Sequence, residues 1–227
     1  MNDAQSRQDI VAVYRDIGRR GLIAGSSGNV SHRTRAGMLI TPSGCSAETV
    51  QPDALVAMTL AGDVKGSLAP SSEWAMHAAI YLAYPVAQCV VHTHADACTA
   101  LACLNEGLPP FHYMVANFGG DEVRCAPYVT FGTPELARHA VAALAGRTAC
   151  LLANHGMIVH AATANGALSA AIVLETLCRQ YLLARSAGSV RLLNADEMRA
   201  AHERYRSYGQ GPPVIVRSAA TKQSRSS

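Results

Sequence analysis

Three observations predict an α/β chain, in the α+β-like sense of a three-layer α/β/α arrangement with a mostly antiparallel central sheet flanked by helices. Candidate strands come in clusters, at 28–41 and again at 149–160, and do not alternate one by one with helices as a doubly wound parallel sheet requires. Longer segments with helical spacing lie around those clusters. The chain of 227 residues, 49% hydrophobic and 15% charged, can build one well-cored domain and would be cramped as two. Residues 1–212 are therefore read as a single domain and 213–227 as a polar, disordered C-terminal tail.

Residues 4–20 carry Ile10, Val11, Val13, Tyr14 and Ile17 at helical spacing and stop at Gly21, which gives an amphipathic first helix. Two short strands follow, Gly28 to His32 and Met38 to Thr41, then the turn Pro42-Ser43-Gly44 and a strand near Leu55 to Leu60. Ala61-Gly62-Asp63 reads as a hairpin turn. Pro70-Ser71-Ser72 supplies an N-cap for a helix from Glu73 to about Ala83, which Pro85 closes. The apolar run Gln88-Cys89-Val90-Val91 is a buried strand that leads into His92. Helices are expected at Ala95 to Leu104 and Thr133 to Ala145, with Val123 to Thr130 extended between them. Strands Ala149 to Asn154 and Met157 to His160 flank His155-Gly156, and helices from Asn165 to Arg185 and Asp196 to Tyr205 complete the chain.

The formal charge of +3 is small and spread along the sequence, so it supplies no electrostatic case for nucleic acid or a membrane surface. A small anionic substrate such as a sugar phosphate suits it better. No apolar stretch reads as long enough to cross a bilayer, and Met1-Asn2-Asp3-Ala4-Gln5 lacks the basic and apolar regions of a signal peptide, so a cytoplasmic location is expected. Seven cysteines, among them Cys89, Cys98, Cys103, Cys150 and Cys178, sit in apolar segments without CxxC spacing and read as reduced core thiols.

His92-Thr93-His94 ends the apolar strand. Side chains two apart in a strand project to one side, so the two imidazoles can share one ion. His155 ends a second apolar strand, and Glu73 offers a carboxylate from the preceding helix. Three imidazoles and a carboxylate are a normal donor set for a catalytic divalent metal. Nine histidines make chance pairs plausible, and Glu73 in a first helical turn also fits a carboxylate that only complements the helix dipole. A cupin-type His-x-His site fits less well: Asp96 is too close, and residues 97–104 read as helix.

Pro70-Ser71-Ser72-Glu73 places hydroxyls beside a helix N-terminus, where unpaired N–H groups and the dipole favour an anion. Gly25-Ser26-Ser27-Gly28-Asn29 and Ser43-Gly44 are further small-residue loops able to close on the same group, although each alone is ordinary turn chemistry.

Taken in order from about residue 5 to 210, Gly28-Asn29-Val30-Ser31, Ile40-Thr41-Pro42-Ser43-Gly44, Pro70-Ser71-Ser72-Glu73, Val91-His92-Thr93-His94, Cys125-Ala126-Pro127-Tyr128, Phe131-Gly132-Thr133 and Asn154-His155-Gly156 resemble the class II aldolase/adducin family, its L-fuculose-1-phosphate aldolase-like members in particular. The resemblance implies an enzyme that cleaves a ketose 1-phosphate into dihydroxyacetone phosphate and an aldehyde. It also implies one divalent metal per subunit, Zn2+ first, with Mn2+, Co2+ or Fe2+ compatible, and a homotetramer with active sites between subunits. Glu73, His92, His94 and His155 match the family's metal set, Glu73 doubling as acid/base. Asn29, Ser43, Gly44, Ser71 and Ser72 match its phosphate cradle. Tyr113 resembles a catalytic tyrosine that reaches a neighbouring subunit's site, and Tyr208 a second one on the aldehyde side; both also fit as interface aromatics. Ser43 stands where fuculose enzymes carry threonine, which keeps the hydroxyl. Related members use L-fuculose 1-phosphate, 5-deoxyribulose 1-phosphate or 5-methylthioribulose 1-phosphate. The same fold also serves methylthioribulose-1-phosphate dehydratases, sugar-phosphate 4-epimerases and non-catalytic adapter domains.

Overall fold

The computed structural model describes residues 3–207, so Tyr208 and the polar tail 213–227 lie outside the described residues. The strands are β1 (Asn29–Thr34), β2 (Gly37–Ile40), β3 (Val56–Met58), β4 (Val64–Lys65), β5 (Cys89–Thr93), β6 (Cys125–Ala126), β7 (Ala149–Leu152) and β8 (Gly156–Ala161). The helices are α1 (Asp3–Arg19), α2 (Trp74–Ala83), α3 (Asp96–Cys103), α4 (Pro134–Ala143), α5 (Ala164–Ala187) and α6 (Ala195–Ser207). Short 3-10 turns at Pro52–Ala54 and Tyr113–Phe118 were not signalled by the sequence pattern.

All the strands join one sheet in the order β4-β3-β2-β1-β5-β8-β7-β6. The sheet is mixed, and the expectation of a mostly antiparallel one fails at its β6 edge, where β6 runs parallel to β7. The connection explains the direction: α4 carries the chain from β6 to β7, and strands joined by a helical crossover lie parallel. The remaining neighbours pair antiparallel. Only Cys125 and Ala126 of the extended segment expected at 123–130 join the ladder.

Alternation along the strands sorts the side chains into two cores. Val30, Leu39, Val91, Leu151 and Val159 pack towards α1, α3 and α5. Ile40, Val90, Cys150, Leu152 and Ile158 pack towards α2 and α4. Helix α5 spans 24 residues and is long and apolar enough to pass for a membrane span by length and composition, contrary to the sequence reading; it packs against β5, β8 and α3. Its buried Glu175 accepts hydrogen bonds from the N–H groups of Ala97 and Cys98 at 3.0 and 2.9 Å, which anchors the first turn of α3 directly after His94. Every cysteine is free; Cys89, Cys98, Cys150 and Cys178 are core thiols, whereas Cys103 is exposed at the end of α3.

Two glycines let loops crowd the open end of β5. Gly28 has φ +82°, and a Cβ there would meet the His92 carbonyl oxygen at 2.8 Å. A Cβ on Gly156 would lie 2.4 Å from the Thr93 carbonyl oxygen and 3.1 Å from His94 Cδ2. Gly156→Ala is therefore expected to destabilise the protein by about 1–3 kcal/mol through overpacking against backbone. Urea unfolding of the chelated variant and wild type checks this, and equal midpoints would contradict it.

Candidate metal centre and phosphate pocket

Strand register does most of the positioning. Asn29 on β1 pairs with His92 on β5, and His92 pairs with Ile158 on β8, so the side chains of Asn29 and His92 leave the same face next to one another. His94 lies one residue past the end of β5, and His155 sits in the turn between β7 and β8. That turn is tight: Asn154 adopts φ +52°, a left-handed conformation that asparagine tolerates better than most residues.

Glu73 enters from the opposite direction, at the cap position of α2. The sequence reading gave the capping role to the serines before it. In the structure Ser71 Oγ accepts the Glu73 N–H at 3.3 Å, while the helix proper begins at Trp74. The Glu73 carboxylate makes no cap hydrogen bond and instead points at the histidines.

The structure brings together all four residues expected to bind metal. Glu73 Oε2 lies 3.0 Å from His92 Nε2, and Glu73 Oε1 lies 3.2 Å from His155 Nε2. His92 Nε2 and His94 Nε2 are 3.0 Å apart. The three rings meet edge to face with centroids 4.8–4.9 Å apart, and the four ligand atoms all lie within 4.8 Å of one another. His92 Nδ1 donates to the Met157 carbonyl at 2.8 Å, which orients the ring so that Nε2 points into the cluster.

This set fits a divalent cation on its own chemistry. Glu73 is only 6% exposed, and its Oε1 has no hydrogen bond although His155 Nε2 is close. A buried carboxylate oxygen surrounded by inward-facing imidazole nitrogens is satisfied by a cation more completely than by those rings alone. Burial by itself would raise the Glu73 carboxyl, but His92 and His155 beside it hold it well below the usual carboxylate range. Burial, reinforced by His92 and His155, depresses His94 to about 4, so its ring is neutral and ready to donate a lone pair at physiological pH.

A pocket of about 330 Å³ opens beside the cluster, at the small end of the range for small-molecule sites. Asn29, Ser43, Gly44, Ser71 and Ser72, the residues matched to a phosphate cradle, all line it. An isolated bridge between Pro42 and Pro70 draws the two serine loops together. Ser43 and Ser71 use their own N–H groups on the carbonyls of Ala69 and Thr41, so their hydroxyls are what they offer a ligand. Asn29 is also largely committed: its amide nitrogen donates to Glu73 Oε2 at 3.0 Å and its oxygen meets His77. One N–H remains for a ligand. No Lys or Arg lines the pocket among the described residues.

Tyr128, Val129 and Phe131 form an apolar wall of the same pocket, and Asn154 also lines it; the sequence reading gave these four no role. Tyr128, Phe131 and Asn154 stand in motifs that carry the family resemblance, so a signal is present in the sequence without an assigned role. Tyr113 does not join the pocket of its own chain. It is 54% exposed in a separate surface hollow with Met114, Asn117 and Tyr205.

Residues 8–182 match the family model of the class II aldolase and adducin N-terminal domain. The chain is 43% identical over 203 residues to a 5-methylthioribulose-1-phosphate/5-deoxyribulose-1-phosphate aldolase of Rhodospirillum rubrum, covering 89% of this chain and 92% of that protein. It is 39% identical over 203 residues to an L-fuculose phosphate aldolase of Escherichia coli (strain K12), covering 89% and 94%. A solved L-fuculose 1-phosphate aldolase superimposes with a TM-score of 0.85 at 36% identity, over 89% of this chain and 96% of that one.

The buried imidazoles set a pH dependence for the metal-free protein. His77 and His94 are held at about 3 and about 4 in the folded state, below the ordinary 6.5 that applies when unfolded. The unfolded chain therefore binds more protons below pH 6.5. The depressed Glu73 carboxyl acts in the same direction at lower pH, since its contribution is present above its unfolded value of about 4.5 and is lost as pH falls through its folded one. Unfolding free energy of chelated protein, measured by urea titration, should be flat from pH 8 to 7 and fall steadily from 6.5 towards 4. A rise on acidification would contradict these assignments.

Proposed function

The chain belongs to the class II aldolase and adducin family, and from that premise and the site above we propose that it is a metal-dependent aldolase. It cleaves a ketose 1-phosphate to dihydroxyacetone phosphate and an aldehyde. The observation that carries this reading is one pocket lined both by members of the Glu73/His92/His94/His155 cluster and by the serines of the two loops. Aldolase names among relatives near 40% identity support the reaction class.

Glu73, His92, His94 and His155 hold the cation, taken as Zn2+ because three imidazoles and one carboxylate suit it, with Mn2+, Co2+ and Fe2+ accepted by the same donors. When bound, the ion supplies Lewis acidity to the negative charge that develops as the C3–C4 bond breaks. The hydroxyls of Ser43, Ser71 and Ser72, with the Gly44 loop and the remaining Asn29 N–H, bind the phosphate as a neutral cradle. Glu73 exchanges the proton at the carbon of the three-carbon fragment. Tyr128, Val129 and Phe131 give one side of the pocket an apolar surface and favour an aldehyde with an apolar end, such as the methyl of a deoxy sugar or a thioether. L-Fuculose 1-phosphate, 5-deoxyribulose 1-phosphate and 5-methylthioribulose 1-phosphate all satisfy that demand. A methylthioribulose-1-phosphate dehydratase or a 4-epimerase would lose water or invert a centre instead of releasing dihydroxyacetone phosphate, and an adapter domain would do neither.

Tyr113, exposed and outside its own pocket, is read as serving the site of a neighbour in a homotetramer, where it handles the proton of the aldehyde oxygen. Tyr208 is proposed for the same end of the substrate. The chain is taken to act in the cytoplasm on a small soluble sugar phosphate.

The test is a panel of the three ketose 1-phosphates, with metal content and solution mass measured on the same sample. Chelation should abolish dihydroxyacetone phosphate release and Zn2+ restore it, with a mass of four chains. Glu73→Gln should keep the metal and lower kcat by roughly 10²–10⁴-fold. Full turnover after verified metal removal, or unchanged turnover in Glu73→Gln, would refute the reading.

A further inference from the structure

Behind Glu73 and Asn29 lie, in a line, three buried polar side chains, His77, Ser31 and Tyr81, to which the proposed reaction gives no role. Asn29 Nδ2 donates to Glu73 Oε2 at 3.0 Å, His77 Nε2 lies 2.5 Å from Asn29 Oδ1, Ser31 Oγ lies 2.7 Å from His77 Nδ1, and Tyr81 Oη lies 2.7 Å from Ser31 Oγ. All five residues are buried. Two periodicities assemble the line. Asn29 and Ser31 are two apart on β1 and share a face; Glu73, His77 and Tyr81 are four apart, at the cap and on successive turns of α2.

Donor and acceptor inventory leaves one direction for the protons. An ionised carboxylate only accepts, so the Asn29 amide must turn its nitrogen to Glu73 and its oxygen to His77. An amide oxygen only accepts, so His77 must carry its proton on Nε2. Burial depresses His77 to about 3, so the ring is neutral and Nδ1 is an acceptor. Ser31 must then donate to Nδ1, and Tyr81 must donate to Ser31. Every hydrogen bond points towards Glu73.

We propose that His77 is a positioning residue for Glu73, and that with Ser31 and Tyr81 it locks the orientation of the Asn29 amide that pins Glu73 Oε2 and leaves Oε1 for the centre. If His77 took the other tautomer, its Nε2 would face the Asn29 oxygen lone pair to lone pair. The amide would turn over and present its oxygen to the carboxylate. The Ser31 hydroxyl opposes this by satisfying, as a donor, the Nδ1 lone pair that the Nε2–H tautomer would otherwise bury unpaired. The kinetic consequence rests on the aldolase reading; the tautomer does not.

The test uses zinc-loaded enzyme labelled with 15N-histidine, with the His77 resonances assigned by their loss in His77→Gln. In the wild type at pH 7, His77 should be protonated on Nε2 alone. Ser31→Ala should populate the Nδ1–H tautomer and lower kcat by roughly tenfold or more, as loss of a group that orients a metal ligand does. KM and zinc content should stay within about twofold. Ser31→Thr, which keeps the hydroxyl, should recover the Nε2–H tautomer and most of kcat; Tyr81→Phe should fall between. A wild-type His77 protonated on Nδ1, or a Ser31→Ala enzyme with unchanged tautomer and kcat, would overturn the proposal. If the wild type released no dihydroxyacetone phosphate, the aldolase reading would fail, and the tautomer would still decide for or against the chain of hydrogen bonds.

Discussion

Burying the ionised carboxylate of Glu73 is the constraint on which the centre of this protein depends. Removing such a group from water is unfavourable by several kcal/mol unless charge and hydrogen bonds compensate it. Three sheet strands and one helix converge to do so. Imidazoles from the end of β5 and from the β7–β8 turn face its two oxygens, and Asn29 reaches it from β1. The same residues form a candidate cation site, because imidazole in its neutral form is a metal donor, which a fixed positive charge is not.

The pocket shows the same economy with charge. Its two loops meet at the Pro42–Pro70 bridge and present hydroxyls, with no cationic side chain among the described residues. Under the proposed function a phosphate there is held by directed hydrogen bonds, which suits a substrate that must leave after each turnover. The small net charge of the sequence is consistent with such a cradle. Crowding at the end of β5 is permitted by Gly28 and Gly156, where any side chain would strike the carbonyl of His92 or Thr93.

The readable parts of the molecule were those governed by local periodicity. Strand alternation placed His92 and His94 on one side, apolar runs located most strands and helices, and the order of motifs carried the family. What escaped depended on pairing between distant segments. The two-residue β6 is defined by its partner β7 and not by its own residues, so the parallel edge left no pattern to read. Asn29 was visible as a loop residue of a phosphate cradle, whereas its contact with Glu73 follows from its register opposite His92. His77 and Ser31 are separated by 46 positions, and nothing in either segment announces the other. Tyr113 was marked by resemblance, but its separation from its own chain's pocket is a matter of tertiary placement.

The central claim is that these four side chains are the first coordination shell of a metal. Anomalous diffraction at the absorption edge of the metal carried by the purified protein tests it most directly. One peak per chain is expected between Glu73, His92, His94 and His155, with imidazole nitrogens at about 2.0–2.1 Å if the ion is zinc. A peak elsewhere in the chain, or none at this position in protein shown to contain stoichiometric metal, would contradict the account.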